Sequence, residues 1–407
     1  MTNSDLLVKR KMTEDAHPSG YRWIILVLVW LVYFAFGLIL SSIPPLVTII
    51  ATDLSLTYSE MGVIMGSVIL MFIPFAVPIG IGIDRFGQKR MISIGLLFIS
   101  SSAILRSFAI SFETLFLVVL LFGVGGPTIS VGLAKVVASF FEGKERGIAS
   151  GIYMTGATVG SGSALALTNS LVLPLIGTWR NVFSFYGIIG FLIAFAWILL
   201  ARESSPNSKL RPAGLSLKKV IRSLLSNRYV WMVAIIGSTS FLVFYGFGNW
   251  LPALLEEKGM DPAGAGLLAS IPTWVGLIGS GIIPGATRTG KRKPVIVALL
   301  FIEGICMYIV GITSGTSLLI LLVVYGIVSG AVMPLMLVVM MDLPKVGAEY
   351  TGIATGLFFS VGGVMGFIGP SLVGYVTDIY SNFLPALIIL AIIVEAMIAG
   401  TLFLKDA

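Results

Sequence analysis

The chain reads as an all-α membrane protein of twelve transmembrane helices, arranged as two pseudo-symmetric six-helix bundles. Three observations predict this fold. Long apolar runs alternate with short polar turns, the two halves of the chain repeat each other, and lysine and arginine gather on one side of the predicted membrane. Of 407 residues, 57% are hydrophobic and 11% are charged, and the mean hydropathy is +1.02. A soluble domain carries roughly 25% charged residues, so this composition belongs in lipid.

A bilayer-crossing helix needs roughly 20 mostly apolar residues. Twelve runs satisfy that length: 23–50, 61–83, 91–108, 115–141, 147–173, 182–201, 229–255, 263–286, 294–313, 317–341, 351–376 and 383–404. The first run closes near Pro44. The second and third flank a charged, glycine-punctuated turn at 80–90, too polar to lie within the bilayer. The fourth and fifth are parted by Glu142, Lys144, Glu145 and Arg146. The sixth precedes the one long connection, 202–228, which is basic and contains Pro206 and Pro212. The second set of six repeats this layout. The expected organisation is a tail at 1–21, one bundle at 22–201, a linker at 202–228, a second bundle at 229–404 and a short end at 405–407.

With the N-terminus placed in the cytoplasm, every lysine and arginine except Arg106, Arg180 and Lys258 falls in a cytoplasmic segment. The positive-inside rule then puts both termini on the cytoplasmic side of the cytoplasmic membrane. The same asymmetry accounts for the net charge of +7 without nucleic acid, because the basic clusters are hairpins between spans. The single Cys306 excludes an intramolecular disulfide. The single His17 reads as a solvated tail residue, and the tail lacks the pattern of a cleaved signal peptide.

The internal repeat is visible residue by residue. The turn Gly80-Ile-Gly-Ile-Asp84-Arg85-Phe-Gly87-Gln-Lys89-Arg90 has a weaker copy at 281–293, with Thr287 where Asp84 stands. Gly147-Ile-Ala-Ser-Gly151 matches Gly352-Ile-Ala-Thr-Gly356, Leu121-Phe-Gly123 matches Val324-Tyr-Gly326, and Pro44 matches Pro252. Repeated halves with a site between them are the usual build of a secondary transporter.

Gly80, Asp84, Arg85, Gly87, Lys89 and Arg90 resemble, position by position, the loop 2–3 signature of the major facilitator superfamily. The resemblance covers essentially the whole chain. The stretches 135–151 and 177–180 look most like the cyanate and nitroimidazole permease group, and distantly like the nitrate/nitrite carriers. The resemblance implies that Asp84 caps the eleventh helix in an outward-open state while the neighbouring cations meet acids such as Asp342 and Glu349. An acid near Thr351 would also suit the positive end of a helix dipole. It implies further that spans 1, 4, 7 and 10 surround a cavity and that spans 9 and 12 are peripheral. Three departures matter. Val119 stands where many proton-coupled members carry arginine, the fifth span lacks the Gly-Pro pair of drug/proton antiporters, and the second and eighth spans contain no arginine.

Helical phase supplies candidate solute contacts. Tyr33, Gly37, Ser41 and Pro44 share a face of the first span, and Phe241, Tyr245, Asn249 and Pro252 share the equivalent face of the seventh. Tyr33, Ser41, Tyr245 and Asn249 lead. Thr128 and Lys135 on the fourth span and Trp274 on the eighth join them, although aromatics at such positions equally serve packing and Lys135 is near enough to the membrane edge to snorkel. Glu303 and Glu395 lie within spans 9 and 12, where carboxylates are expensive. They read either as proton-coupling groups or as hydrogen-bonded structural acids. Glycines at 147, 151, 156, 160 and 162, and at 352, 356, 362, 363 and 366, allow close helix approach.

The functional reading is a transporter moving a small, monoanionic or weakly polar solute by rocker-switch alternating access. Efflux of small amphipathic compounds is the alternative, and a non-transporting membrane sensor is the alternative of another class. No P-loop, metal cluster or catalytic constellation is visible. The expectation is therefore no enzyme, no cofactor and no metal. The expected partners are the solute, a coupling proton or ion, and the lipid bilayer, with the chain working as a monomer. With no lysine or arginine at mid-span, multiply charged anions are expected to be excluded.

Overall fold

Polar turns end the apolar helices, and several of them cap the helix that follows. Thr57 forms a reciprocal capping box with Glu60, Thr178 caps through its hydroxyl, and Asp261 caps a helix that opens on Pro262. These caps satisfy N–H groups that a helix start leaves unpaired. In the computed structural model, which describes residues 20–203, 224–287, 290–343 and 346–404, twelve helical elements result. α1 runs over Tyr21–Leu40 and resumes over Val47–Leu54 after a 3-10 turn at Pro44–Leu46. α2 comprises Tyr58–Leu70 and Phe72–Phe86, α3 is Gln88–Arg106 and α4 is Phe112–Phe140. α5 runs over Gly143–Leu167 and passes through a π-helical turn, Thr168–Val172, into Leu173–Ile176. α6 is Trp179–Leu200. The second set is α7 Arg228–Glu257, α8 Pro262–Ala286, α9 Arg292–Ile312, α10 Thr316–Asp342, α11 Gly347–Tyr380 and α12 Leu384–Leu402.

The tail through residue 19 with His17, most of the linker with Pro206 and Pro212, Arg288 and Lys345 lie outside the described residues, as does the side chain of Glu349. Eleven segments among the described residues are long and apolar enough to cross a membrane. α3 falls short of that measure because it starts with Lys89 and Arg90 and ends in Arg106. It nonetheless packs along α4 and α6 like the other helices. Large apolar side chains such as Val27, Leu117, Leu192, Phe195, Ile320 and Ile392 are exposed on the outside, as a lipid-facing surface requires.

Helix boundaries depart from expectation in three places. α1 is broken between Leu40 and Pro44 rather than simply ending near it, because Pro44 and Pro45 have no N–H to continue the ladder. α2 is jogged at Met71. α7, by contrast, runs unbroken through Pro252, so the matched prolines Pro44 and Pro252 act differently and the break is confined to α1.

The first six helices meet the last six mainly at one end of the molecule. The first segment of α2 lies along α11, and α5 with its π turn lies along α8. We call this the distal end, opposite the basic end that carries the 84–90 turn. At the distal end backbones touch. A Cβ on Gly62 would overlap the carbonyl of Pro370, and one on Gly374 would overlap the carbonyl of Tyr58. Toward the basic end the halves part: a Cβ on Gly147, Gly151, Gly281, Gly285 or Gly356 would meet nothing within 4 Å. Gly374→Ala is therefore expected to wedge α11 from α2 and lower stability by about 1–3 kcal/mol, the usual effect of overpacking. Gly151→Ala should be neutral or slightly stabilising through helix propensity. Thermal unfolding of the purified variants checks this, and equal melting of the two would refute it.

Candidate functional site

The break in α1 shapes the middle of the molecule. Ser41 caps the first segment, its N–H donating to the Gly37 carbonyl at 3.1 Å. The Ile39 carbonyl accepts from the Ser42 hydroxyl at 2.8 Å and from the Arg106 guanidinium at 3.1 Å. The Pro45 carbonyl accepts from the Asn169 side-chain amide at 2.6 Å, and that amide also reaches Pro262 of the other half at 3.3 Å. Asn169 sits in the π turn of α5, a type of distortion often found at functional positions.

Around this break the two halves bring polar side chains together. Tyr33 of α1 packs its ring 5.7 Å from that of Tyr153 of α5. Tyr245 of α7, in the opposite half, packs edge-on against Phe244 and lies beside Gly366 of α11. Ser41, Tyr245 and Asn249, with Leu40, Pro44 and Phe244, line a constricted gap of about 10 Å³, the lower limit for one water molecule. Three residues singled out by phase, Ser41, Tyr245 and Asn249, thus line one gap where the halves meet.

Thr128 and Lys135 are placed differently from expectation. Thr128 is buried against Gly95 of α3. The face of α4 toward the centre carries Gly126 instead, which faces Phe36 and Phe72. Lys135 pairs with Asp84 and donates to the Gly80 carbonyl at 3.3 Å, so its ammonium is committed at the basic end. Trp274 lies between the halves, its indole against Gly162 of α5.

The 84–90 turn folds back on its own half. Gly87 has φ +91°, which only glycine adopts without strain. The Glu203 carboxylate lies beside it, 3.4 Å from the Lys89 N–H, at the start of α3 where the helix dipole favours an anion. The Lys89 carbonyl accepts from Trp197 at 3.2 Å, and the Arg85 guanidinium lies 5.4 Å from the ring of Phe86. Arg90 is exposed. Asp84 therefore serves Lys135 here and not the start of α11. Asp342, expected to answer the 84–90 cations, pairs with Arg292 within its own half. Glu303 is 1% exposed, and Glu395 sits over Gly304; each keeps one buried carboxylate oxygen without a hydrogen-bond partner. Both lie among α9, α10 and α12, outside the Tyr33–Tyr245 region.

Several residues that the sequence reading did not single out join the halves or shape the break. Thr48 donates to Glu256 across the halves at 2.6 Å. Asp378 of α11 accepts from the N–H groups of Tyr58 and Ser59 at 2.9 and 2.7 Å, and from the Ser59 hydroxyl, so it caps α2 from the opposite half. Trp250, Tyr58 and Phe383 form an aromatic cluster beside it. Lys258 donates to the carbonyls of Gly311 and Thr313 at 2.8 and 2.9 Å. Burial pulls its ammonium below the ordinary lysine range, and Glu257 pushes it back up. Among the described residues, no group of three or more histidine, cysteine or acidic residues could hold a metal.

Two bundles sealed at one end, parted at the other and lined with polar groups between them define a membrane transporter. The comparisons with known proteins agree. Residues 29–370 match the family model described as Major Facilitator Superfamily, and the chain belongs to that superfamily. It is similar to the "Uncharacterized transporter YycB" of Bacillus subtilis (strain 168), 25% identical over 94% of this chain and 95% of that one. It is also similar to the "Probable galactarate/D-glucarate transporter GarP" of Escherichia coli (strain K12), 26% identical over 92% and 93%. The "Hexuronate transporter" of Bacillus subtilis (strain 168) is 23% identical over 81% and 82%. Among solved structures, a bacterial homologue of the human lysosomal transporter Spinster, described as inward-facing and unoccupied, superposes with a TM-score of 0.74 at 19% identity, covering 94% of this chain and 95% of that one. That likeness shows the shared fold.

Removing the carboxylate that caps α2 tests the distal seal. Losing an N-cap costs about 0.5–2 kcal/mol, so Asp378→Ala should raise the distally open population several-fold. The measurement is labelling of Leu40→Cys by a membrane-impermeant thiol reagent added from the distal side, against the low background of buried Cys306. Unchanged labelling would count against the seal.

Proposed function

We propose that this permease carries a small monoanionic solute, such as a sugar acid with a single carboxylate, through the region where Tyr33, Ser41, Tyr245 and Asn249 converge. The observation that carries the reading is the gap beside the α1 break, lined by Ser41 of one half and by Tyr245 and Asn249 of the other. Hydroxyl and amide donors there hold a carboxylate or oxyanion through hydrogen bonds, each contributing about 1.5–3 kcal/mol when the partner is charged. No lysine or arginine lines the gap beside them, so one negative charge is accommodated and two are not. Relatives named for galactarate/D-glucarate and hexuronate support an acidic solute; the first pair of names denotes dianions, and this site is proposed to prefer the monoanion. The narrower likeness to cyanate and nitroimidazole permeases finds no support among these relatives.

The halves 22–201 and 229–404 are proposed to rock about the site, with the distal seal opening as the basic ends close. Asp84 then leaves Lys135 for the start of α11. The basic end is proposed to face the cytoplasm, with uptake as the working direction and the monomer as the working unit. A coupling proton or ion remains part of the proposal, with Glu303 and Glu395 as structural acids in view of their distance from the gap.

Tyr245→Phe and Asn249→Ala should each raise KM about tenfold or more, the equivalent of one lost bond to a charged group. Phe301→Ala and Phe403→Ala, on exposed outward positions, should not. Uptake of labelled D-glucuronate and nitrite into proteoliposomes measures this, and equal effects in the two pairs would refute the site. Asp84→Asn should slow transport and favour the state open at the basic end. Cysteine labelling from each side reads that shift, and normal transport with unchanged labelling would refute the role.

A further inference from the structure

Arg106 is the least expected charge in the molecule. It is wholly buried, and it takes part in none of the ion pairs among the described residues. All of its partners are neutral. The guanidinium donates to the Ile39 carbonyl at 3.1 Å, to the Ser42 hydroxyl at 3.0 Å and to the Ser102 hydroxyl at 3.4 Å. It lies 5.7 Å from the ring centres of both Phe122 and Phe183, and its Nε has no partner. Buried charges are normally paired because desolvation is expensive. An unpaired one therefore projects a full positive charge into its surroundings.

Its surroundings are the site. Ser42 is the neighbour of Ser41, which lines the gap with Tyr245 and Asn249. Phe122, beside the guanidinium, packs 5.3 Å from Phe36, which stacks 5.6 Å from Tyr33. The Ile39 carbonyl belongs to the last turn of the first α1 segment, where the helix dipole places about −0.5 of an elementary charge. Left alone, that end would repel an anion at Ser41. Arg106 more than cancels it.

We propose that Arg106 is a charge-selecting, positioning residue: standing behind the break in α1, it makes the Ser41–Asn249 region electropositive and so admits an anion without touching it. The inference rests on the anion reading given under Proposed function. It differs from a purely structural role, in which Arg106 only satisfies the carbonyl and hydroxyls of the break.

Two variants separate charge from hydrogen bonding. Arg106→Gln keeps an amide donor and loses the charge, whereas Arg106→Lys keeps the charge and loses the planar fork. The full-length variants are reconstituted, and uptake of D-glucuronate, of nitrite and of the uncharged amide D-glucuronamide is measured. Arg106→Gln should raise KM for the two anions about tenfold or more, as loss of a nearby weakly screened charge implies, and leave KM for the amide within about threefold. Arg106→Lys should stay near wild type for all three. If Arg106→Gln does not fold, Ser42→Asp supplies a carboxylate that neutralises Arg106 in place and should produce the same selective loss. Equal changes for anions and amide, or an unchanged anion KM in Arg106→Gln or Ser42→Asp, would overturn the inference alone. A wild-type protein that moves the amide and neither anion would overturn the anion reading and this inference with it.

Discussion

The break in α1 is the point on which the rest of the structure depends. Inside a bilayer, every backbone polar group needs a protein partner or water, and two consecutive prolines supply no N–H where the helix breaks. Side-chain donors gather on the carbonyls around the break. Arg106 comes from α3, Asn169 from the π turn of α5, and Ser42 from the break itself. Ser161 adds a bond to the Gly37 carbonyl at 3.1 Å. The arrangement ties α1 to α3 and α5 within the first half. It also turns Ser41 toward the opposite half and sends Val47–Leu54 to where Thr48 meets Glu256.

The seal between the halves is built of two different materials. Backbone lies on backbone where α2 crosses α11, and this contact depends on glycine. Charge lies on helix end where Asp378 holds the N-terminus of α2. The first gives shape and the second gives a bond that can break without disturbing any core. At the basic end the same helices bear charges that are satisfied within their own half: Asp84 by Lys135, Glu145 by Arg22 and Asp342 by Arg292. A carrier in this state holds its distal side shut and its basic side free, which is one of the two poses that alternating access needs.

The spans, the repeat and the family were legible in the sequence because apolar length and residue spacing are local properties. Helical phase likewise picked out Ser41, Tyr245 and Asn249, which line the gap between the halves. Thr128 was misread because α4 is flanked on two sides: Gly125 and Gly132 face α3 while Gly123 and Gly126 face α2 and α1. Phase alone does not say which of those sides borders the centre. Lys135 was ambiguous because a long side chain reaches either way, and Asp84 decided the matter. Arg106 and Asp378 were invisible as functional groups because their partners lie 67 and 320 residues away. An arginine at the end of a span looks like an ordinary interfacial residue until the chain folds around it.

The bare glycines at the basic end carry a consequence for energetics. Gly147, Gly151, Gly281, Gly285 and Gly356 have no neighbour in this pose, yet they match in kind the glycines that seat α2 against α11 and α5 against α8 at the other end. Each crossing pair is thus furnished for contact at both extremities, like a rocker with two matched seats. If surface given up at one seat is regained at the other, the two poses stay close in free energy. A ligand shifts such a balance only by its difference in affinity between poses. When the poses are nearly degenerate, a solute held by a few hydrogen bonds is enough to turn the machine over, and weak binding becomes a working property of the carrier.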